Sequence, residues 1–131
     1  MEQLKSYLSG QKDLGNVLLI GSGQELPALA FYLRHDLRVG SVTVTAQSDT
    51  EKLGETVSWR HINTIIFDSS RAETVRKLTG ISLRYLVGML CMQNDYFSLW
   101  ECYREHAQHI CLIRERNGNA GQGRNADRYE V

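Results

Sequence analysis

The stretch NVLLIGSGQELPALAFYL, residues 16–33, decides the fold. Val17-Leu18-Leu19-Ile20 is an unbroken apolar run, as expected of a strand buried on both faces. Gly21-Ser22-Gly23 interrupts it. Leu26, Leu29, Ala30 and Leu33 then recur at i, i+3, i+4 and i+7, the stripe of a helix lying on a sheet. Pro27, the single proline, falls in the first turn of that helix, where its missing N–H costs least. Strand, glycine turn and amphipathic helix together make the first part of a βαβ unit.

Outward from there the alternation continues. Ser41–Thr45 (SVTVT) is β-branched and reads as a second strand, and residues 62–67 read as a third. Residues 85–92 (YLVGMLCM) are the most apolar segment and read as a central fourth strand, with a fifth over 110–113. Ser48-x-x-Glu51 and Ser70-x-x-Glu73 have the form of capping boxes. Ala72, Val75 and Leu78 share a helical face that Gly80 stops, and Asp95 is placed to cap a helix carrying Tyr96, Leu99, Trp100 and Tyr103. Such alternation predicts an open α/β sandwich, a parallel sheet with helices on both faces, because crossovers are right-handed. Residues 1–15 are a lead-in that either forms a short helix over Leu4, Tyr7 and Leu8 or does not. Residues 16–116 are the domain, and the glycine-rich 117–131 is expected to be a flexible tail.

At 131 residues the chain is one domain's worth. Its 15 basic residues balance 15 acidic ones, which argues against nucleic-acid binding, since phosphate neutralisation needs surplus positive charge. No apolar run approaches the roughly 18 residues that cross a bilayer, and the first residues lack the apolar stretch of a secretory signal. Cys91, Cys102 and Cys111 are too few for a disulfide framework, so a reducing, cytoplasmic setting is expected.

In an open α/β sheet, ligands bind beyond the carboxyl ends of the strands, where strand order reverses. Gly21-Ser22-Gly23-Gln24-Glu25-Leu26 is G-x-G-x-x-L, two thirds of a dinucleotide-binding fingerprint in the right strand–turn–helix context. Gly21 would allow the tight turn, Gly23 would admit a phosphate, and the helix start would offer free N–H groups. Leu26 replaces the third glycine, and Glu25 puts negative charge where a phosphate would lie. The same residues also make a plain βα turn with no ligand, and both readings stand. No acid ends the second strand to hold a ribose: Gln47 or Ser48 would have to serve, and Asp49 looks like part of a helix start.

Cys102, His106 and His109 fall at i, i+4 and i+7 with Cys111 beyond, but the spacing matches no established zinc set, and no metal is expected. Trp59 and Tyr96 are the aromatics expected to be exposed to a partner. There is no nucleophile elbow and no His paired in sequence with a nucleophile, so no enzyme and no catalytic residue is expected.

From residue 16 to residue 116 the pattern resembles the TrkA N-terminal (RCK/KTN-type) domain of potassium-transport regulators. The resemblance rests on NVLLIGSGQELPALAFYL, on TIIFDSS, and on VRKLTGISLRYLVGMLCMQNDYFSLWECYREHAQHICLIRE. It implies a non-catalytic, cytoplasmic regulatory module that binds an adenine nucleotide or NAD(H), or has lost that binding while keeping the fold. Gly21, Ser22, Gly23, Gln24 and Glu25 would form the phosphate loop, Asp68 would lie near the adenine, and Cys91 would lie beside the ligand. A homodimer is implied, with a membrane transporter or other protein as partner. The expected architecture is a Rossmann-like three-layer sandwich whose mostly parallel five-stranded sheet runs in the order 3-2-1-4-5.

The alternative is a degenerate Rossmann-like or receiver-like scaffold acting only through protein–protein interaction. Asp68 ends the third strand, where response-regulator receivers accept phosphate. Ile20-Gly21 and Ile113-Arg114 stand where that chemistry needs an acidic pair and a lysine, so its Mg²⁺ site cannot assemble.

Overall fold

Along β1 (Asn16–Ile20) successive side chains enter different cores: Leu18 and Ile20 join one buried cluster, Val17 and Leu19 the other. The computed structural model, which describes residues 2–78, 80–115 and 128–129, repeats this alternation in β3 (Thr64–Asp68), β4 (Leu83–Cys91) and β5 (Ala107–Glu115). Ile65, Phe67, Leu86, Leu90, Ile110 and Leu112 face one side, and Ile66, Tyr85, Val87, Cys111 and Ile113 the other. Strands apolar on both faces need helices on both. α1 (Glu2–Ser9) and α2 (Leu26–Phe31, continued by a π-helical turn over Tyr32–Asp36) cover one face. α3 (Thr50–Thr56), α4 (Ala72–Lys77) and α5 (Tyr96–Tyr103) cover the other. The result is a Rossmann-like α/β sandwich of three layers. Leu4, Tyr7 and Leu8 of α1 are buried, so the segment before β1 is part of the core.

Strands β1 to β5 are parallel and stand in the order 2-1-3-4-5, with β2 being Ser41–Thr45. This corrects the expected order 3-2-1-4-5. The reason lies in two compositions. Ser-Val-Thr-Val-Thr has no fully buried residue and suits an edge, whereas Thr64 to Phe67 are all buried and would waste apolar surface there. β1 therefore sits between β2 and β3, as in flavodoxin-like sheets, and order reverses between β1 and β3. β6 (Arg128–Tyr129) adds an antiparallel pair to β5, with Ile113 opposite Arg128 and Leu112 opposite Tyr129. The expected tail over 117–131 otherwise lies outside the described residues. Among those described, no helix is long and apolar enough to cross a membrane.

Local caps differ from expectation in two places. Asp49, not Ser48, caps α3 by accepting from the amides of Glu51 and Lys52. Ser70 caps nothing; Asp68 accepts from its amide and starts the short 3₁₀ turn over Ser69–Arg71. Asp95 caps α5 as expected, accepting from Ser98 N at 3.0 Å. Because α5 ends at Tyr103, His106 lies in a turn and His109 lies in β5, stacked on Tyr85 at 5.1 Å. The helical face proposed for Cys102, His106 and His109 is therefore not formed. Among the described residues no group of His, Cys, Asp or Glu is placed to hold a metal.

Tyr103 ties α5 to the end of α4. Its buried hydroxyl donates to Val75 O at 2.6 Å and to Leu78 O. Burial, with Cys102 adding to it, raises the phenol above its ordinary value, so it stays a donor. Tyr103→Phe is expected to lower stability by about 1–2 kcal/mol in urea unfolding at neutral pH. Since the folded phenol ionises above the unfolded one, that advantage is full below about pH 10 and fades above it. The gap between wild type and variant should narrow in that range.

Candidate functional site

The loop Gly21-Ser22-Gly23 leaves β1 with Gly21 N donating to Thr45 O at 3.1 Å, which holds it against the end of β2. α2 starts from Glu25, whose side chain makes no capping bond, with Pro27 in the first turn. The loop's amides therefore need an acceptor from elsewhere. Asp68 supplies it from the end of β3, across the point where strand order reverses. Its Oδ2 accepts from Ser22 N at 3.2 Å and from Gly23 N at 3.3 Å. Its Oδ1 accepts from Ser70 N at 3.0 Å and from Ser70 Oγ, and Ser22 Oγ donates to Ser70 Oγ at 2.9 Å.

The glycine in front of this carboxylate has a local reason. A Cβ on Gly21 would collide with Asp68 Oδ2 and stand 2.8 Å from Asp68 Cγ. Gly21 thus makes room for the Asp68 side chain, the same freedom that a phosphate would have needed. Glu25 turns back toward the loop, its Oε2 lying 3.5 Å from where a Gly23 Cβ would be. Two carboxylates border the place where a pyrophosphate would lie. Each would repel a unit negative charge at 4 Å by about 1 kcal/mol even with water-like screening.

A cavity of about 300 Å³ opens beside the loop, and Ser22, Gly23, Glu25, Asp68 and Cys91 line it together with Ser70. The fold thus brings together five of the residues singled out from sequence, with Gly21 directly behind Asp68. Gln24 and Gln47 are not among its walls. Gln47 N donates to Thr45 Oγ1, and the neighbouring Ala46 O is held by Arg71 Nε at 3.1 Å and a terminal nitrogen at 2.7 Å. Cys91 is half-buried, and both its amide and its thiol donate to Asn94 Oδ1, at 2.9 and 3.1 Å.

Sequence reasoning missed Ser70, Leu4 and Met89. Ser70 was legible as the far end of an Asp-Ser-Ser turn, the pattern by which an aspartate bonds the backbone two residues on. Leu4 and Met89 carry no local signal. Arg114 stacks on Tyr96 at 4.5 Å, on the face of the sheet opposite the cavity, so it does not meet Asp68 as the lysine of a phosphorylated receiver would. Tyr96 itself is 2 % exposed and donates to Leu90 O, and Trp59 packs half-buried on the same core, so neither is the exposed aromatic expected. No protein-family model matches this chain, and no curated protein matches it.

Proposed function

We propose that this chain is a non-catalytic, receiver-like scaffold that works through protein contacts and not through a bound nucleotide. The observation that carries the reading is the pair of hydrogen bonds from the Ser22 and Gly23 amides to Asp68. The donors a pyrophosphate would use are engaged by a carboxylate of the same domain. The strand order, with β1 between β2 and β3, supports the receiver-like form of that frame.

The outer face of α5 supports a protein partner. Phe97 is 62 % exposed and stacks on Trp100 at 6.3 Å, and Arg104 lies over the Trp100 ring at 5.9 Å. Met92, also exposed, precedes the helix. Aromatic, Met and Arg side chains are the types enriched in interface cores. Cys91, Cys102 and Cys111 form no disulfide among the described residues, which supports a cytoplasmic setting. A second copy of the chain is the first partner to look for, and a membrane transporter or other protein the next.

Light scattering is expected to give a dimer that Phe97→Ser with Met92→Ser returns to monomer at an unchanged melting temperature, both side chains being exposed. Calorimetry with ATP, ADP and NAD(H) at millimolar concentration is expected to register no saturable heat. Saturable heat, or nucleotide carried through purification, would restore the nucleotide-sensor reading that the TrkA-type resemblance implies. A monomer that captures no partner would remove the scaffold reading.

A further inference from the structure

The cavity beside the closed loop has a lining of two unlike kinds of residue. Leu4, Leu26, Leu29 and Met89 form an apolar wall continuous with the core under α1 and α2. Asp68 and Glu25 add carboxylates to the lining, and no lysine, arginine or histidine is among the lining residues. Its volume of about 300 Å³ stands at the lower end of small-molecule pockets.

The two acids differ in what they have left to give. Asp68 accepts from three backbone amides and one hydroxyl, so its oxygens are well satisfied. The Glu25 side chain forms no hydrogen bond or ion pair among the described residues; it is exposed, lines the cavity, and its Oε2 lies 3.5 Å from where a Gly23 Cβ would be. An exposed, unpaired carboxylate and apolar side chains lining one cavity complement a cation with an apolar body. An anion meets the reverse: two like charges, and amide donors already engaged.

We infer that this cavity binds a small amphipathic cation, a primary amine carrying an apolar group of about one ring. The ammonium pairs with Glu25, and the ring lies against Leu26, Leu29 and Met89. The inference goes beyond the scaffold reading and rests on one part of it, that Asp68 stays in the loop.

The probes are 2-phenylethylamine and its uncharged counterpart 2-phenylethanol, titrated into the full chain by calorimetry and followed at the backbone amides of Leu26 and Met89. The amine is expected to bind at millimolar concentration or better, and the alcohol about tenfold more weakly. Glu25→Gln, at an exposed side chain without a structural bond, is expected to erase the amine's advantage while leaving the alcohol and the melting temperature unchanged. Leu26→Trp, which fills the cavity, is expected to remove both. Equal affinity of amine and alcohol for the unmodified protein, or binding of neither, would overturn the inference. Saturable movement of the same amides with ATP would instead overturn the scaffold reading, so the two failures are distinguishable.

Discussion

Gly88→Val is expected to lower stability by about 3 kcal/mol, the upper part of the usual range for overpacking a core. Gly88 lies in the middle of β4, opposite Phe67 of β3 on one side and Leu112 of β5 on the other. The Phe67 ring lies where the side chain of residue 88 would be. A Cβ there would stand 2.5 Å from Cζ and 2.8 Å from Cε1. The ring is 2 % exposed and packed in the cluster under α3, α4 and α5, so it has no room to retreat. Urea unfolding should show the midpoint falling with little change in slope. Phe67→Leu in the same chain should recover about half of the loss, because the two substitutions act on one contact. A loss under about 0.5 kcal/mol, or no coupling to Phe67, would contradict this packing.

Asp68→Ala is expected to lower stability by about 2 kcal/mol and to change what the loop binds. Four donors lose their acceptor: the amides of Ser22, Gly23 and Ser70, and the Ser70 hydroxyl. Hydrogen bonds to a charged group contribute roughly 1.5–3 kcal/mol each when well buried, but water replaces part of these at a half-exposed site. Asp68→Asn keeps one acceptor oxygen and should lose about half as much. The second effect separates this from a merely structural loss. With its amides freed, the Asp68→Ala loop should take an anion, so inorganic phosphate should raise the melting temperature of that variant and not of the wild type. Adding Glu25→Gln should enlarge the shift by removing the second negative charge. If phosphate stabilises both proteins alike, Asp68 is not what excludes it.

Local pattern carried most of the architecture. The apolar run at Val17 to Ile20 and the stripe at Leu26, Leu29, Ala30 and Leu33 are short-range signals, and the structure buries Leu29, Ala30 and Leu33 on one face. Strand order is a different matter, since right-handed crossovers permit both 3-2-1-4-5 and 2-1-3-4-5. The clue was in composition: Ser and Thr alternating with Val in β2 mark an edge, and Thr-Ile-Ile-Phe in β3 marks an interior. The Ser48 and Ser70 patterns misled because a neighbouring aspartate does the capping with a full charge: Asp49, one residue later, accepts from Glu51 N, and Asp68, two residues earlier, accepts from Ser70 N.

The site was legible in place but not in partner. Gly21-Ser22-Gly23 at a strand end reads alike whether a phosphate or a carboxylate fills it, because both need the same bare turn. Only the parallel register of β1 with β3, Ile20 opposite Phe67, carries the next residue of each strand to a common point and sets Asp68 against the loop. That contact spans 46 residues between Ser22 and Asp68 and leaves no local trace.

The most direct test lies in the amide resonances of Ser22 and Gly23 in a two-dimensional ¹H–¹⁵N spectrum while ADP is titrated to millimolar concentration. With Asp68 occupying those donors, both peaks stay in place in the unmodified protein and move saturably in Asp68→Ala. Saturable movement in the unmodified protein would mean that the nucleotide displaces Asp68, and the loop would then be a ligand site after all.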